Sequence, residues 1–285
     1  MKLPNEFNAD VYRKHNIDLR SFSDENLLHH WNEHGEREGR IASTVNNRDR
    51  FLGLLHFANS LLEIGVFDKP TINFLNDGIR TIHYADWLSK EDLVTRANEI
   101  PGRDSSTVPE IRWILADGYK QVHDKYDIIV SHHCVEHQPD LITHFHNVKS
   151  IASSNGGYFF SLPDKRHCFD HFIPESTIVD LVEAYYIRRE APTFKSVLEH
   201  RCFTRHSYRD GINPYLIHEP CATTAFERAY QEYLHSDYVD VHCWQFTPFS
   251  FKTLYNQLVE LGLLPSYRDL KVYSAGSEFY VALLY

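Results

Sequence analysis

Between Ser60 and Pro163, five short apolar runs, LLEIGV, TIHYAD, RWILAD, YDIIVS and GYFFSLP, alternate with helical patterns such as SKEDLVTRANE and PDLITHFHNVKSIA. Runs of strand length separated by helix-length stretches predict a parallel sheet, because parallel neighbours need crossovers and the crossovers cover the sheet's faces. Ser89 and Asp92 stand at capping-box spacing at the head of one such helix. The chain ends in YRDLKVYS and SEFYVALLY, two strands joined by AGS, a link short enough to allow only an antiparallel hairpin. Ligands of such open sheets lie beyond the carboxyl ends of the strands, so the candidate site is read from the residues there.

The flanking segments differ. In the first forty residues Asn8 and Ser23 are placed to cap short helices, with Leu27, Leu28 and Trp31 on one face and Gly35 as the expected stop. A polar linker, IASTVNNRD, and a helix from about Arg48 to Ala58 lead into the first strand. After Pro163 the alternation breaks into helical pieces, STIVDLVEAYYIRRE, TFKSVLEHRCF and TTAFERAYQEYLHS. It resumes with TPFSFKTLYNQLVELGLL, where Thr247 is the expected N-cap and Pro248 the first helical residue. The division expected is an N-terminal helical module over 1–45 and an α/β domain over 46–285, interrupted by a helical insertion over 164–240.

Composition narrows the function classes. A hydrophobic fraction of 42% with 17 Tyr and 18 Phe supplies a core and argues against bulk disorder. A formal charge of -10, with no Lys/Arg cluster, argues against a nucleic-acid binder that neutralises phosphates. No apolar stretch reaches the roughly 20 residues of a membrane span and MKLPNEFNAD has no signal-peptide core, so no membrane span and a cytoplasmic location are expected. Five cysteines without a C-x-x-C pair indicate neither a disulfide framework nor a zinc ribbon. The 19 histidines raise the question of a metal. His133 and His137 have i, i+4 spacing, but Pro139 marks a helix start and puts them in a loop, and no H-E-x-x-H pattern is present, so no metal site is expected.

Acids stand at successive strand ends: Glu63 with Gly65 in SLLEIGVFDKP, Asp86 in HYADW, and Asp117 with Gly118 in LADG. An ionised carboxylate in such a place can accept both hydroxyls of a ribose. YDIIVSHHCVEHQPD contributes Ser131 and then His137, whose imidazole suits proton removal near neutral pH or, on the bland reading, braces the loop. Past the next strand come Asp164, Lys165, Arg166, His167 and His171 in PDKRHCFDH, a run that also fits a solvated turn, and DVHCW adds His242 and Trp244.

In this order and spacing the pieces resemble the class I S-adenosylmethionine-dependent methyltransferases from about Ser60 to Tyr285. The resemblance implies a Rossmann-like seven-stranded sheet ending in an antiparallel hairpin. It also implies that Glu63, Gly65, Asp86, Asp117, Gly118 and Ser131 hold S-adenosylmethionine, with Asp86 on the ribose and Asp117 near the adenine amino group. His137 would then face the transferred methyl as base, helped by Asp164 or His171. A branch of that family whose fifth strand ends in PDKR implies Lys165, Arg166, His167 and His242 on the acceptor side, the cations gripping hydroxyls, a carboxylate or a phosphate and Trp244 stacking on a sugar. The sequence departs from the family where Val66-Phe67-Asp68-Lys69-Pro70 replaces the glycine-rich continuation, with Pro70 left to set the turn. The N-terminal unit resembles a small helical module that accompanies glycosyltransferases of surface-polysaccharide synthesis.

The expectation is a methyltransferase acting on a hydroxyl of a small-molecule or glycan-linked acceptor, with a glycosyltransferase or a second copy as possible partner. Two other classes stay open: a non-catalytic scaffold that lost its cofactor loop, and a metal-dependent hydrolase using the histidines.

Overall fold

The computed structural model describes residues 2–204 and 223–285. Seven strands, β1 (Ser60–Ile64), β2 (Thr81–Asp86), β3 (Trp113–Ile114), β4 (Tyr126–His132), β5 (Ala152–Pro163), β6 (Asp269–Ser274) and β7 (Glu278–Leu284), form one sheet in the order β3-β2-β1-β4-β5-β7-β6. The first five pair in parallel, whereas β7 runs antiparallel to both β5 and β6. This is the Rossmann-like sheet of the class I methyltransferase fold, closing hairpin included.

The helices are α1 (Ala9–His15), α2 (Asp24–His30), α3 (Glu36–Glu38), α4 (Arg48–Leu52), α5 (Lys90–Glu99), α6 (Leu141–Ile151), α7 (Ile178–Tyr186), α8 (Phe194–Phe203), α9 (Thr223–His235) and α10 (Pro248–Glu260). Asn8, Ser23, Ser89, Asp140, Thr177, Thr193 and Thr247 each accept a backbone N–H in the first turn, which explains why helices begin there. Strand alternation then divides the core. Leu62, Ile64 and Ile129 pack toward α6 and α10, and Leu61, Ile128 and Val130 toward α4 and the turns beside it. Among the described residues no helix is long and apolar enough to cross a membrane.

Three local features depart from expectation. The β1–β2 crossover contains only the single turn Asn73–Leu75, and β3 reaches β4 through two more such turns. Buried Glu63 explains how the first crossover holds without a helix: its carboxylate accepts from Thr71 N at 2.9 Å, Thr71 Oγ1 at 2.6 Å and Ile72 N at 3.4 Å. Burial lifts its pKa to about 7 in spite of those donors. Finally, Gly35 does not stop the N-terminal helix, which continues through a wide turn (Trp31–Gly35) into α3 and ends at Gly39, where φ is +69°. Gly35 serves close packing instead, since a Cβ there would lie 2.0 Å from the Tyr12 hydroxyl.

Helices this short are not stable alone. α1 to α3 share a small core of Tyr12, Leu19, Leu27, Trp31 and Ala42. They are fastened to α10 by Lys252, which pairs with Glu6 at 2.8 Å and Glu36 at 2.6 Å, and to β6 by Glu6 accepting from Val272 N. α8 and α9 likewise pack on one another through Val197, Cys202 and Ala229, with Val239 and Val241 closing that cluster.

Candidate functional site

Gly65 ends β1 at φ +73°, and a Cβ there would meet Cys134 Sγ at 3.3 Å, so glycine lets the β1 end and the β4 loop approach. Phe67 follows at φ +44°, a left-handed backbone uncommon for a bulky residue. Its N–H donates to Asp86 Oδ2 at 3.3 Å, and its ring packs on the Leu93, Ala97 and Val108 cluster beneath the guanidinium of Arg103 at 4.9 Å. The ring is thereby drawn toward α5. Asp68 anchors the other end of the loop, accepting from Arg103 at 2.9 Å and from Asp104 N.

Asp86, at the end of β2, also accepts from Leu88 N at 3.3 Å. Both contacts are long, so lone pairs remain for a further donor. Burial raises its pKa above the usual carboxylate range. Beside it Trp87, given no role by the sequence analysis, is 52% exposed, the tryptophan most open to solvent. Gly118 turns the chain after β3 at φ +85°; the Asp117 side chain lies outside the described residues.

Two expected cofactor contacts are corrected. Glu63 is spent on the crossover described above. Ser131 is fully buried, its hydroxyl 2.6 Å from that of Tyr158, which in turn meets His144 Nε2 at 3.1 Å. It belongs to an interior polar network rather than to the cleft.

The PDKR run is corrected more extensively. Asp164 and Arg166 form a two-pronged pair at 2.9 and 2.5 Å, and Arg166 Nη1 donates to the carbonyls of Arg37 and Glu38 at 3.2 and 2.7 Å. Arg166 therefore satisfies the open carbonyl end of the N-terminal helices and latches them to the end of β5. Lys165 is buried and donates to the His171 carbonyl at 2.9 Å, while His171 Nδ1 meets the Arg166 carbonyl at 2.6 Å. His167 is exposed. None of these five lines the acceptor cleft as assigned from sequence. Because Arg166→Ala leaves the Asp164 carboxylate buried and unpaired, it is expected to cost about 3 kcal/mol. Thermal melting and limited proteolysis between residues 40 and 48 check this; an unchanged melting point and cleavage rate would refute the latch.

The cleft lies instead between the β4 loop, the start of β7 and the segment before α10. It encloses about 440 Å³ and is lined by Arg48, His133, Glu136, Cys168, Phe169, His242 and Glu278, among others. Two hydrogen bonds bring the two motifs together: Cys243 N donates to the Glu136 carbonyl at 2.7 Å, and the Trp244 indole Nε1 to the Gln138 carbonyl at 2.5 Å. Trp244 is thus a buried brace, not a sugar platform, with Arg189 over its ring at 4.5 Å.

Carboxylates stand beside the histidines at and next to this cleft. His242 Nδ1 lies 2.5 Å from Asp170 Oδ2, and His137 Nδ1 lies 2.9 Å from Asp240 Oδ1 in a contact too bent for a hydrogen bond. His133, at φ +48°, bridges Glu136 Oε1 at 3.2 Å and Glu278 Oε2 at 3.1 Å; burial opposes its charge, but the two carboxylates outweigh it and raise its pKa to about 9. Arg48 completes the group on Glu278 at 2.5 Å. Of the residues named from sequence, His242 lines this cleft and His137 stands behind it, its ring edge-on to that of His242; Arg48, Glu136, Asp170, Asp240 and Glu278 were missed. Of those, only Glu136 carried a signal, in the EH pair that follows β4.

No protein-family model matches the chain, and neither does any curated protein. Solved structures do. The CcbJ methyltransferase from Streptomyces caelestis is 15% identical over 41% of this chain and 51% of its own, with a TM-score of 0.28. A putative O-methyltransferase from Nostoc punctiforme PCC 73102 is 9% identical over 82% and 54%, with a TM-score of 0.39. The plantazolicin methyltransferase BpumL, in complex with a monoazolic desmethylPZN analog and SAH, is 13% identical over 96% of both chains, with a TM-score of 0.35. The chain spans about half the length of the first two. At identities and TM-scores this low, the fold rests on the strand order of the sheet itself.

Proposed function

We propose that this chain transfers the methyl group of S-adenosylmethionine to a hydroxyl of an acceptor held in the cleft, with a sugar or glycan-linked molecule as the class that suits it. The observation that carries the reading is the pairing, on one carboxyl edge of the sheet, of a strand-end acid with spare lone pairs, Asp86, and a cleft whose imidazoles are oriented by buried carboxylates. Asp86 would accept the ribose hydroxyls, Gly65 would let backbone approach the methionine portion, and exposed Trp87 would face the adenine. Several structural neighbours bind SAH, the product such a reaction leaves. A cleft combining the charged pairs of Arg48, Glu278 and His133 with the aromatic wall of Phe169 fits a polyhydroxylated ring, which offers both polar edges and an apolar face.

The step is an in-line displacement. The acceptor hydroxyl loses its proton, its oxygen bonds to the methyl carbon, and the carbon–sulfur pair stays on sulfur, turning the sulfonium into a neutral thioether. Protein groups align the partners and activate the hydroxyl. Activation falls to Glu136, His137 and His242, not to His137 alone, because His242 and Glu136 line the cleft.

Calorimetry with S-adenosylhomocysteine (SAH) tests the reading. Binding is expected in the wild type, and Asp86→Asn is expected to weaken it more than about tenfold through loss of a charge-assisted acceptor. No binding by a folded wild type would leave the scaffold reading in its place, and equal affinity in Asp86→Asn would remove the ribose assignment.

A further inference from the structure

Accounting for donors and acceptors at the cleft floor gives an imbalance. Glu136 is completely buried, and while its Oε1 receives His133, its Oε2 has no partner. His242 gives Nδ1 to Asp170, which turns its Nε2 toward Glu136 Oε1, 4.0 Å away and beyond hydrogen-bond reach. The ring of His137 stands edge-on to that of His242, with centroids 4.8 Å apart at 89°. One nitrogen from each ring and one Glu136 oxygen lie within 4.8 Å of one another. A buried carboxylate oxygen without a partner, beside imidazole nitrogens that make no hydrogen bond to it, is a place that a cation would fill.

We propose that Glu136, His137 and His242 bind a divalent transition-metal ion at the floor of the acceptor cleft. Around a zinc ion at about 2.0–2.1 Å, neighbouring ligand atoms sit about 3.4 Å apart, so each side chain has to close in by less than about 1 Å. The bent His137–Asp240 contact leaves that ring room to turn. Two imidazoles and one carboxylate select zinc, cobalt, nickel, iron or manganese over magnesium or calcium, which take oxygen donors. Asp170 behind the His242 ring is a carboxylate of the kind that orients a ligating histidine and raises its donor strength. Three protein ligands leave the remaining positions open toward the cleft, as in catalytic rather than structural sites.

This deepens the proposed function and rests on it for the ion's role. An acceptor hydroxyl bound to the ion would release its proton to water more readily, and its oxygen would then attack the sulfonium methyl as described.

The test titrates chelator-treated protein with Co²⁺, followed by visible d–d absorption and by Zn²⁺ displacement, and measures SAH affinity by calorimetry on the same samples. One equivalent of Co²⁺ is expected in the wild type. Glu136→Gln, which keeps shape, and His242→Ala are each expected to lower Co²⁺ affinity at least about hundredfold, and Asp170→Asn about 10–100-fold, with SAH affinity retained. No Co²⁺ uptake by wild type, or uptake unchanged in both Glu136→Gln and His242→Ala, overturns the site even where SAH binds. Stoichiometric Co²⁺ uptake lost in those variants, in a protein that ignores SAH, upholds the site and sinks the methyltransferase reading instead.

Discussion

His242→Ala is expected to lower methyl-transfer turnover by about 10²–10⁴-fold, the usual worth of an activating group, with SAH affinity nearly unchanged. The asymmetry follows from position. His242 lies on the segment before α10, reaches the cleft and is held by Asp170, whereas the proposed cofactor contacts come from the β1 and β2 ends. Asp170 is buried, and its contact with Nδ1 turns Nε2 toward Glu136. Asp170→Asn should therefore reproduce part of the loss by favouring the other tautomer. Single-turnover kinetics beside calorimetry make the measurement. Loss of SAH affinity in parallel with turnover would show that His242 serves the fold or the cofactor, and unimpaired turnover would place activation elsewhere.

Gly157→Val is expected to destabilise the fold strongly. Gly157 lies in β5, paired with Ile128 of β4 on one side and Leu284 of β7 on the other. A Cβ there would stand 2.7 Å from the Leu283 carbonyl oxygen and 2.8 Å from Leu284 Cδ2. The oxygen belongs to backbone, so relief requires β7 to slide, and β7 carries the ladders to both β5 and β6. Overpacking of this kind costs about 3 kcal/mol or more, a large share of the roughly 5–15 kcal/mol that holds a domain folded. The expected reading is insoluble protein, or a melting temperature lower by about 10 °C. Gly53→Ala is the control, because a Cβ at Gly53 meets no atom within 4 Å and its φ of -58° suits any residue. A Gly157→Val protein that melts with the wild type would show that the sheet yields at this point.

The strands were legible because each is a short apolar run ended by a polar turn, and the helix starts because Asn8, Ser23, Ser89 and Thr247 bond within their own first turns. Gly35 misled because its glycine answers to Tyr12, in a different helix. Asp164, Lys165 and Arg166 misled for the same reason: a charged run after a strand looks available, and its partners are the carbonyls of Arg37, Glu38 and His171. Ser131 could not be recognised as interior without knowing that Tyr158 and His144 meet it.

The sequence by itself determined which segments are strands and helices, their order, and the acids and histidines that end on the carboxyl edge, because periodicity and capping act over a few residues. Only the tertiary structure decided which of those groups retain a lone pair. Glu136 and His137 meet His242 because a backbone bond from Cys243 and an indole bond from Trp244, the latter 106 residues beyond its partner Gln138, dock that segment onto the β4 loop. A polar atom is free for chemistry only when no distant neighbour has claimed it, and that depends on contacts between segments rather than on the order of residues along the chain.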